Sequence, residues 1–391
     1  MDQIKPPNSS GIKVIVVGLG YGGAAAAVEC YLKGHHVVCF EQTRKVSEGG
    51  SFFLLRADSK GDMIGVTANA AGIVAKWGNG IVHKEMREII CTFDKFTMCD
   101  WKGEHLLTQD LPGVAEGAGY MGKRGEILEV LCRHVERLGI EVHRGKRITE
   151  YYETETEAGI IYDGQKYTAD CVLACDGVNS KARLFVVGAE AGKAHPSGYA
   201  TYRAWFDGAS LKDDPEAQWL VEGEVDKSVV FIGPDVHCIF GTGKQCKEVS
   251  WVLTHVVRLS VPSESDNEDT ADIQESWTLP GSVEQALKEV EGWDPRVAAV
   301  MKHTPPGQLI DHKLLWRDPL PRWVSEKGRI LLVGDSAHTF IPTSIQGGGQ
   351  AIEDAATAAI CLELAGKDRV PLALRVSEKM RYASSCALDL T

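Results

Sequence analysis

The apolar positions of this chain fall first into short β-branched runs separated by helix-forming stretches. Lys13-Val14-Ile15-Val16-Val17 has the pattern of a buried strand. Ala24 to Lys33 offers strong helix formers with no breaker, and Gly34 stands where a helix stop belongs. His36 to Phe40 is a second apolar strand with Glu41 at its end. Phe52 to Gly65 is irregular, and Ala71 to Trp77 is apolar enough for a buried helix. Cys91 to Thr108 reads as two strands around a turn at Trp101-Lys102-Gly103. A helical period begins near Arg124, with Ile127, Leu128, Val130 and Leu131 on one side. Arg147 to Tyr152 and Ile160 to Tyr167 predict a hairpin turning at Asp163-Gly164. Ala169 to Cys175 is a further strand, ending in Asp176-Gly177.

From about Leu184 to Trp316 longer aromatic and β-branched segments take over, and helical periods become rare. Tyr199 to Phe206 alternates, with Tyr199, Thr201, Arg203 and Trp205 on one face. Val229 to Phe240 and Val249 to Val257 predict more strands, and Ser282 to Glu291 a short helix. Ser263 to Glu275 carries six acids and reads as an exposed loop. Arg329 to Val333 returns to the buried-strand pattern and ends in Gly334-Asp335. Gln346-Gly347-Gly348-Gly349-Gln350 then leads into a helix from Ala351 to Ala365, closed by Gly366. These shifts divide the chain into a disordered lead-in (1–11), a nucleotide-binding domain (12–183, with a small β excursion near 91–108), a β-sheet domain (184–316) and a return to the first domain (317–391).

Composition narrows the classes. The 391 residues suffice for two ordinary domains, and the net charge of −12 disfavours nucleic acid or an anionic membrane as the main partner. Eleven cysteines without a C-x-x-C pair point to reduced thiols and a reducing, cytoplasmic compartment. No signal peptide or membrane span is apparent, and the histidines show no metal-ligand spacing, so no metal is expected.

The candidate chemistry starts at Gly18-Leu19-Gly20-Tyr21-Gly22-Gly23, a G-x-G-x-x-G turn between strand and helix. Gly18 allows the tight turn, Gly20 lets the backbone approach a pyrophosphate, and Gly23 lets the helix pack close to the strand. The helix N-terminus favours the anion, and Glu41 can accept hydrogen bonds from an adenosine ribose. Strand, turn, helix, strand and acid in order predict a dinucleotide, FAD or NAD(P). A second match at Gly117, Gly119 and Gly122 follows no apolar strand and reads as a loop. Other positions keep two readings each. Arg124 can bond a cofactor phosphate or ribityl chain, or be an exposed first-turn charge. Asp176-Gly177 can contact a ligand at a sheet edge, or be a plain turn. Gly347, Gly348 and Gly349 can present bare N–H groups to a ring system, or be a flexible lead into the helix.

Taken together, the Gly18-Gly20-Gly23 turn with Glu41, the Asp176-Gly177 stretch, and Gly334-Asp335-Ser336-Ala337-His338 with Pro342 and Glu353-Asp354 resemble the class A, single-component flavoprotein monooxygenases. Tyr202-Arg203-Ala204-Trp205, Gly292-Trp293-Asp294-Pro295 and Pro319-Leu320-Pro321-Arg322-Trp323 echo the salicylate-hydroxylase-like fungal branch. The resemblance covers nearly the whole chain. It implies an α/β fold: a Rossmann-like FAD-binding domain of the para-hydroxybenzoate hydroxylase type, with a second, mainly β-sheet substrate domain. It implies non-covalent FAD, NADPH or NADH as co-substrate, O2, and insertion of one oxygen into a small aromatic or polycyclic molecule of secondary metabolism through a flavin C4a-hydroperoxide. By matching motif, Glu41 would bind the adenosine ribose, and Gly50 would lie in the segment passing the far side of the dinucleotide. Arg124 would contact the ribityl or phosphate part, and Asp176 would serve FAD and NAD(P)H. Asp335 would hold the ribityl hydroxyls, Gly347 to Gly349 would line the isoalloxazine, and Arg203 would face the substrate as the catalytic side chain. Where the resemblance puts an active-site tyrosine the chain has Phe240. A flavin reductase, or a non-catalytic FAD-binding homologue, is the competing reading.

Overall fold

Five parallel strands form the first sheet, in the order Ile330–Leu332, Cys171–Ala174, Lys13–Val17, His36–Glu41, Glu141–Arg144. The computed structural model describes residues 8–44, 63–111, 119–191, 194–257, 279–340 and 346–389. The sheet's central strands are covered on both faces, which is why they read as unbroken β-branched runs. Helix Tyr21–Leu32 packs against helix Gly347–Ala365; an added Cβ on Gly22 would sit 3.3 Å from the Ala351 Cβ. Both helices are rich in Gly and Ala on the facing turns, so their backbones can approach closely. Within the lead-in, Ser10 N–H donates to Gly34 O (2.9 Å), and Gly34, at φ +79°, closes the first helix.

The hairpin expected around Asp163-Gly164 is half of a three-stranded meander. Glu150–Glu153 pairs with Ala158–Tyr162, and the Asp163-Gly164 turn joins Ala158–Tyr162 to Gln165–Ala169. Asp163 and Gly164 lie at φ 52° and 73°, so both central residues are left-handed, as a two-residue hairpin turn requires. The stretch Ile160 to Tyr167 therefore holds both arms of one hairpin.

The second sheet has eight strands, in the order Leu279–Pro280, Ile310–Trp316, His195–Asp207, Glu248–Val256, Val236–Gly243, Ser228–Gly233, Lys95–Asp100, His105–Asp110. The two strands read as an excursion of the first domain thus belong here, joined by a parallel pairing of Ser228–Gly233 with Lys95–Asp100. One face buries Tyr202, Phe206, Phe231, Phe240, Trp251 and Leu253 together with residues of helices Val283–Lys288 and Pro295–Lys302. Phe240 stacks edge-on to Phe231 (centroids 5.9 Å) in that core. It is paired with Trp251, which is paired with Ala204, so it lies on the face opposite Arg203.

Two smaller features adjust the reading. Met63–Val66 is a strand, paired with Tyr120–Lys123, so Gly122 of the second glycine match lies in a β-ribbon. The helix expected from Ala351 begins at Gly347, so the three glycines form its first turn. Gly50, Pro342 and the acidic run 263–275 lie outside the described residues.

Candidate cofactor and active site

The glycine turn is built by close approach. Gly18 adopts φ +90°, and a Cβ there would lie 2.4 Å from the Cys175 carbonyl oxygen. A Cβ on Gly23 would lie 1.9 Å from the Gly18 carbonyl oxygen. Gly20 differs: among the described residues nothing stands within 4 Å of its added Cβ, which leaves the backbone open on the side a pyrophosphate would approach. Glu41 is buried and has a second task. Its Oε2 accepts from Leu19 N–H (2.7 Å) and its Oε1 from Thr43 N–H (2.7 Å), tying the strand end to the turn. Each oxygen keeps further lone-pair capacity for a ribose hydroxyl.

The second half of the site comes from Gly334-Asp335. Gly334 N–H donates to Asp354 Oδ2 (3.0 Å), and the same oxygen pairs with His338 Nε2 (2.6 Å). Arg381 Nε donates to Asp354 Oδ1 (2.7 Å), and Arg381 also reaches Glu353 and Gln350. Burial alone would raise the Asp354 carboxyl, but His338 and Arg381 outweigh it and hold it below its ordinary value. From the other side, the buried Arg183 donates to three carbonyls: Ser336 O from Nε (2.9 Å), Val178 O from Nη1 (2.8 Å) and Asp335 O from Nη2 (2.5 Å). The sequence contains the signal for Asp354, 19 residues beyond Asp335 in the quoted motif, but none that singles out Arg183.

Held this way, the Asp335 carboxylate makes no hydrogen bond to any other described residue. An added Cβ on Gly347 would stand 3.8 Å from its Oδ1. Burial pushes the Asp335 carboxyl up, against the pull of Arg124, His338 and Arg183. An acceptor so placed suits hydroxyl groups. Next to it, the first intrahelical bond of Gly347–Ala365 runs from Gln350 N–H to Gln346 O (2.9 Å), so the N–H groups of Gly347, Gly348 and Gly349 have no intrahelical acceptor. Gly349 is also favoured by contact, since an added Cβ would meet Thr67 Oγ1 at 2.6 Å, while one on Gly348 would only press Ile64 Cδ1 at 3.1 Å. That Thr67 hydroxyl is buried and unbonded in the described structure. The unbonded, half-buried Asp335 carboxylate, the orphaned Thr67 hydroxyl and the open Gly20 edge fit FAD.

Asp176 turns inward. Its carboxylate accepts from Ser180 Oγ (2.6 Å), Tyr151 Oη (3.1 Å), Lys181 N–H (2.9 Å) and Ala182 N–H (3.1 Å), capping helix Lys181–Val187. That helix carries Arg183, so Asp176 supports the Asp335 turn from a distance. Arg124 opens helix Arg124–Arg137, and its carbonyl accepts from Tyr21 Oη (2.8 Å). Its charge acts on both Asp335 and His312. Arg203 is buried on the second sheet, on the face that looks away from helices Val283–Lys288 and Pro295–Lys302. Burial, then Arg203, then Arg124 lower His312 to about 3.

No family model matches the chain. The FAD-dependent monooxygenase nodY2 of Hypoxylon pulicicidum is 36% identical over 394 residues, spanning 98% of this chain and 82% of that protein. The asperlicin C monooxygenase of Petromyces alliaceus is 37% identical over 394 residues, spanning 99% of this chain and 80% of its own. The crystal structure of CtdE in complex with FAD and substrate aligns at TM-score 0.85 and 37% identity, covering 97% of this chain and 87% of that one. A salicylate hydroxylase substrate complex, at 22% identity and TM-score 0.76, shares the fold over 97% of this chain and 86% of its own. The fold expected from the resemblance is the fold observed, and the cofactor is FAD. At this identity over most of both chains, the chain belongs to the FAD-dependent monooxygenases.

Proposed function

We propose that the chain takes reducing equivalents from NADPH or NADH and inserts one atom of O2 into a small aromatic or polycyclic molecule of secondary metabolism. The observation that carries this reading is the unbonded Asp335 carboxylate beside Gly347, on a turn whose backbone is held by Arg183 and Asp354. Bound FAD supplies the redox chemistry and oxygen activation, which no side chain can provide. The protein's part is binding, orientation and exclusion of water. Gly20 would leave room for the pyrophosphate, Glu41 would accept from the ribose, and Asp335 would accept from the ribityl hydroxyls. The first-turn N–H groups at Gly347, Gly348 and Gly349 stabilise negative charge on the ring. Asp176 acts in cofactor binding through the helix it caps. Arg203 is the catalytic side chain, donating to an oxygen of the substrate to fix which atom meets the oxidant.

The two sheets take the two tasks, the first FAD and the second the substrate. A cytoplasmic site of action is supported by the cysteines, since the ten described are all free thiols. Among the described residues no helix is long and apolar enough to cross a membrane. The test is direct. Purified protein should be yellow, release FAD on heating, and place one atom of labelled O2 in a product when supplied with NAD(P)H and extracts of secondary metabolites. Retained FAD reduced by NAD(P)H with no label incorporated from any substrate pool would instead support a reductase. FAD that NAD(P)H cannot reduce would support a non-catalytic homologue.

A further inference from the structure

Among the described residues, six that are not glycine adopt positive φ. Three are Asn79, Asp163 and Asp235, side-chain types that tolerate the left-handed region. The other three are consecutive: Lys244, Gln245 and Cys246, at φ 55°, 60° and 60°. They form the tip between strands Val236–Gly243 and Glu248–Val256. Glycine or asparagine would sit there at less cost, so the conformation persists only because its surroundings over-determine it. The buried Asp226 carboxylate does so. Its Oδ1 accepts from Cys246 N–H (2.9 Å), and its Oδ2 from Thr92 N–H (2.8 Å) and Thr92 Oγ1 (3.0 Å). Cys246 Sγ donates to Val225 O (3.1 Å). Asp226 thus ties the root of the hairpin to the segment by which the chain leaves the first domain for Lys95–Asp100.

The held tip delivers one group. Lys244 Nζ donates to Glu126 Oε1 (2.9 Å) and to Glu248 Oε1 (2.8 Å). Glu248 is fixed in turn, since its Oε2 accepts from the Trp205 indole N–H (2.6 Å). Glu126 lies in the first turn of helix Arg124–Arg137. Lys123, just before that helix, places its ammonium 5.9 Å from the centre of the Trp205 ring. The start of a first-domain helix is therefore tied to the second sheet through side chains. Two residues before Glu126 stands Arg124. Against burial, it is the largest of the charges that pull the Asp335 carboxyl down. The side chains of Lys244, Glu126 and Glu248 are 40%, 28% and 21% exposed, so their ion pairs contribute little to stability. A left-handed tip that breaks a local rule and yields little stability has the pattern of a positioning device, not of packing.

We propose that Lys244 is a positioning residue for FAD: the left-handed tip holds it between Glu126 and Glu248, and it fixes where helix Arg124–Arg137 begins and so aims Arg124 at the cofactor. The inference rests on the reading that Arg124 contacts FAD, and adds the group that holds it in place.

The experiment measures FAD affinity by diluting the FAD-loaded protein and following flavin fluorescence, with melting recorded in saturating FAD. Arg124→Met should weaken FAD binding about tenfold or more. Lys244→Met should weaken it about threefold or more while melting within about 2 °C of the unaltered protein. Lys244→Arg should restore the affinity. Added to Arg124→Met, Lys244→Met should change the affinity by less than about twofold, because it acts through the arginine. The sign of a second variant separates positioning from a long-range field. A field alone would make loss of a cation weaken, and loss of an anion tighten, the binding of this anionic cofactor. Positioning requires that Lys244→Met and Glu126→Gln both weaken it. Gln245→Val, whose branched side chain resists φ 60°, should act like Lys244→Met, and Gln245→Gly should leave the affinity unchanged. Tighter FAD in Glu126→Gln, or a full additive loss in the double variant, overturns the proposal. If Arg124→Met weakens FAD and Lys244→Met does not, the proposal falls and the cofactor role of Arg124 stands. If Arg124→Met leaves the affinity unchanged, that role fails and this inference with it.

Discussion

Replacing Arg183 tests the support of the flavin turn without touching a group that meets the flavin. The buried guanidinium bonds three carbonyls drawn from two distant segments, Val178 on one side and Asp335 and Ser336 on the other. Hydrogen bonds from a charged donor contribute about 1.5–3 kcal/mol each, so three amount to roughly 4.5–9 kcal/mol gross. The desolvation cost of the buried charge offsets part of this, leaving a net loss of about 3–5 kcal/mol. Arg183→Met should therefore lower the melting temperature by about 6–10 °C, taking roughly 2 °C per kcal/mol for a chain of this size. FAD dissociation should rise at least tenfold, about 1.4 kcal/mol, because the backbone that aims Asp335 is no longer pinned. Arg183→Lys should recover little, since an ammonium on a flexible stem cannot hold three carbonyls in a planar fork. Melting followed by flavin fluorescence, with FAD affinity from equilibrium dialysis, measures both effects. A melting point within about 1 °C of the unaltered protein and an FAD affinity within twofold would refute the assignment.

Three further outcomes follow from the same site. Asp335→Ala leaves ribityl hydroxyls unpaired and should cost about 1–3 kcal/mol of FAD affinity, read by titration of the apoprotein; full occupancy and normal turnover would make Asp335 a turn residue only. Arg203→Ala should keep its FAD but consume NAD(P)H with release of peroxide, and tightly coupled product formation in the variant would remove Arg203 from the substrate. Burial, then Arg137, lowers His134 to about 4, below its unfolded value near 6.5. The unfolded state then binds more protons between those values, so stability is lost as pH falls through that window, by about 3 kcal/mol for this residue. Thermal melts from pH 7 to 4.5 should show the slope, and His134→Gln should flatten it, leaving the share due to His312, which is held at about 3.

What could be read from the sequence was local. The stretch from Gly18 to Glu41 carries its own strand, turn, helix and acid, so each residue's role follows from neighbours a few positions away. The proposed roles of Asp335 and the three glycines after it rest on the same kind of local reading. Arg183 was not, because its meaning lies in carbonyls 152 and 153 positions along the chain. The inward turn of Asp176 was hidden by the fact that a capping acid and a ligand-binding acid look alike beside a glycine. Phe240 shows the sharpest limit. Side chains alternate along a strand, so a register uncertain by one residue moves a side chain from pocket to core.

The order in which the chain visits its two sheets bears on how the protein is made. Lys95–Asp110 leaves for the second sheet before Glu141–Arg144 and Cys171–Ala174 return to the first, and Ile330–Leu332 closes the first sheet only after the second is laid down. On the ribosome, the strand Cys171–Ala174 waits as an open edge until more than 150 further residues have been synthesised. Closing such long loops delays native pairing and lengthens exposure of an apolar edge. The Gly334-Asp335 turn arrives with that last strand, so a nascent chain completes the proposed flavin site only at the end of synthesis. Expression of the first 183 residues alone would then yield an aggregating fragment rather than a half-enzyme, although the glycine turn lies wholly within it.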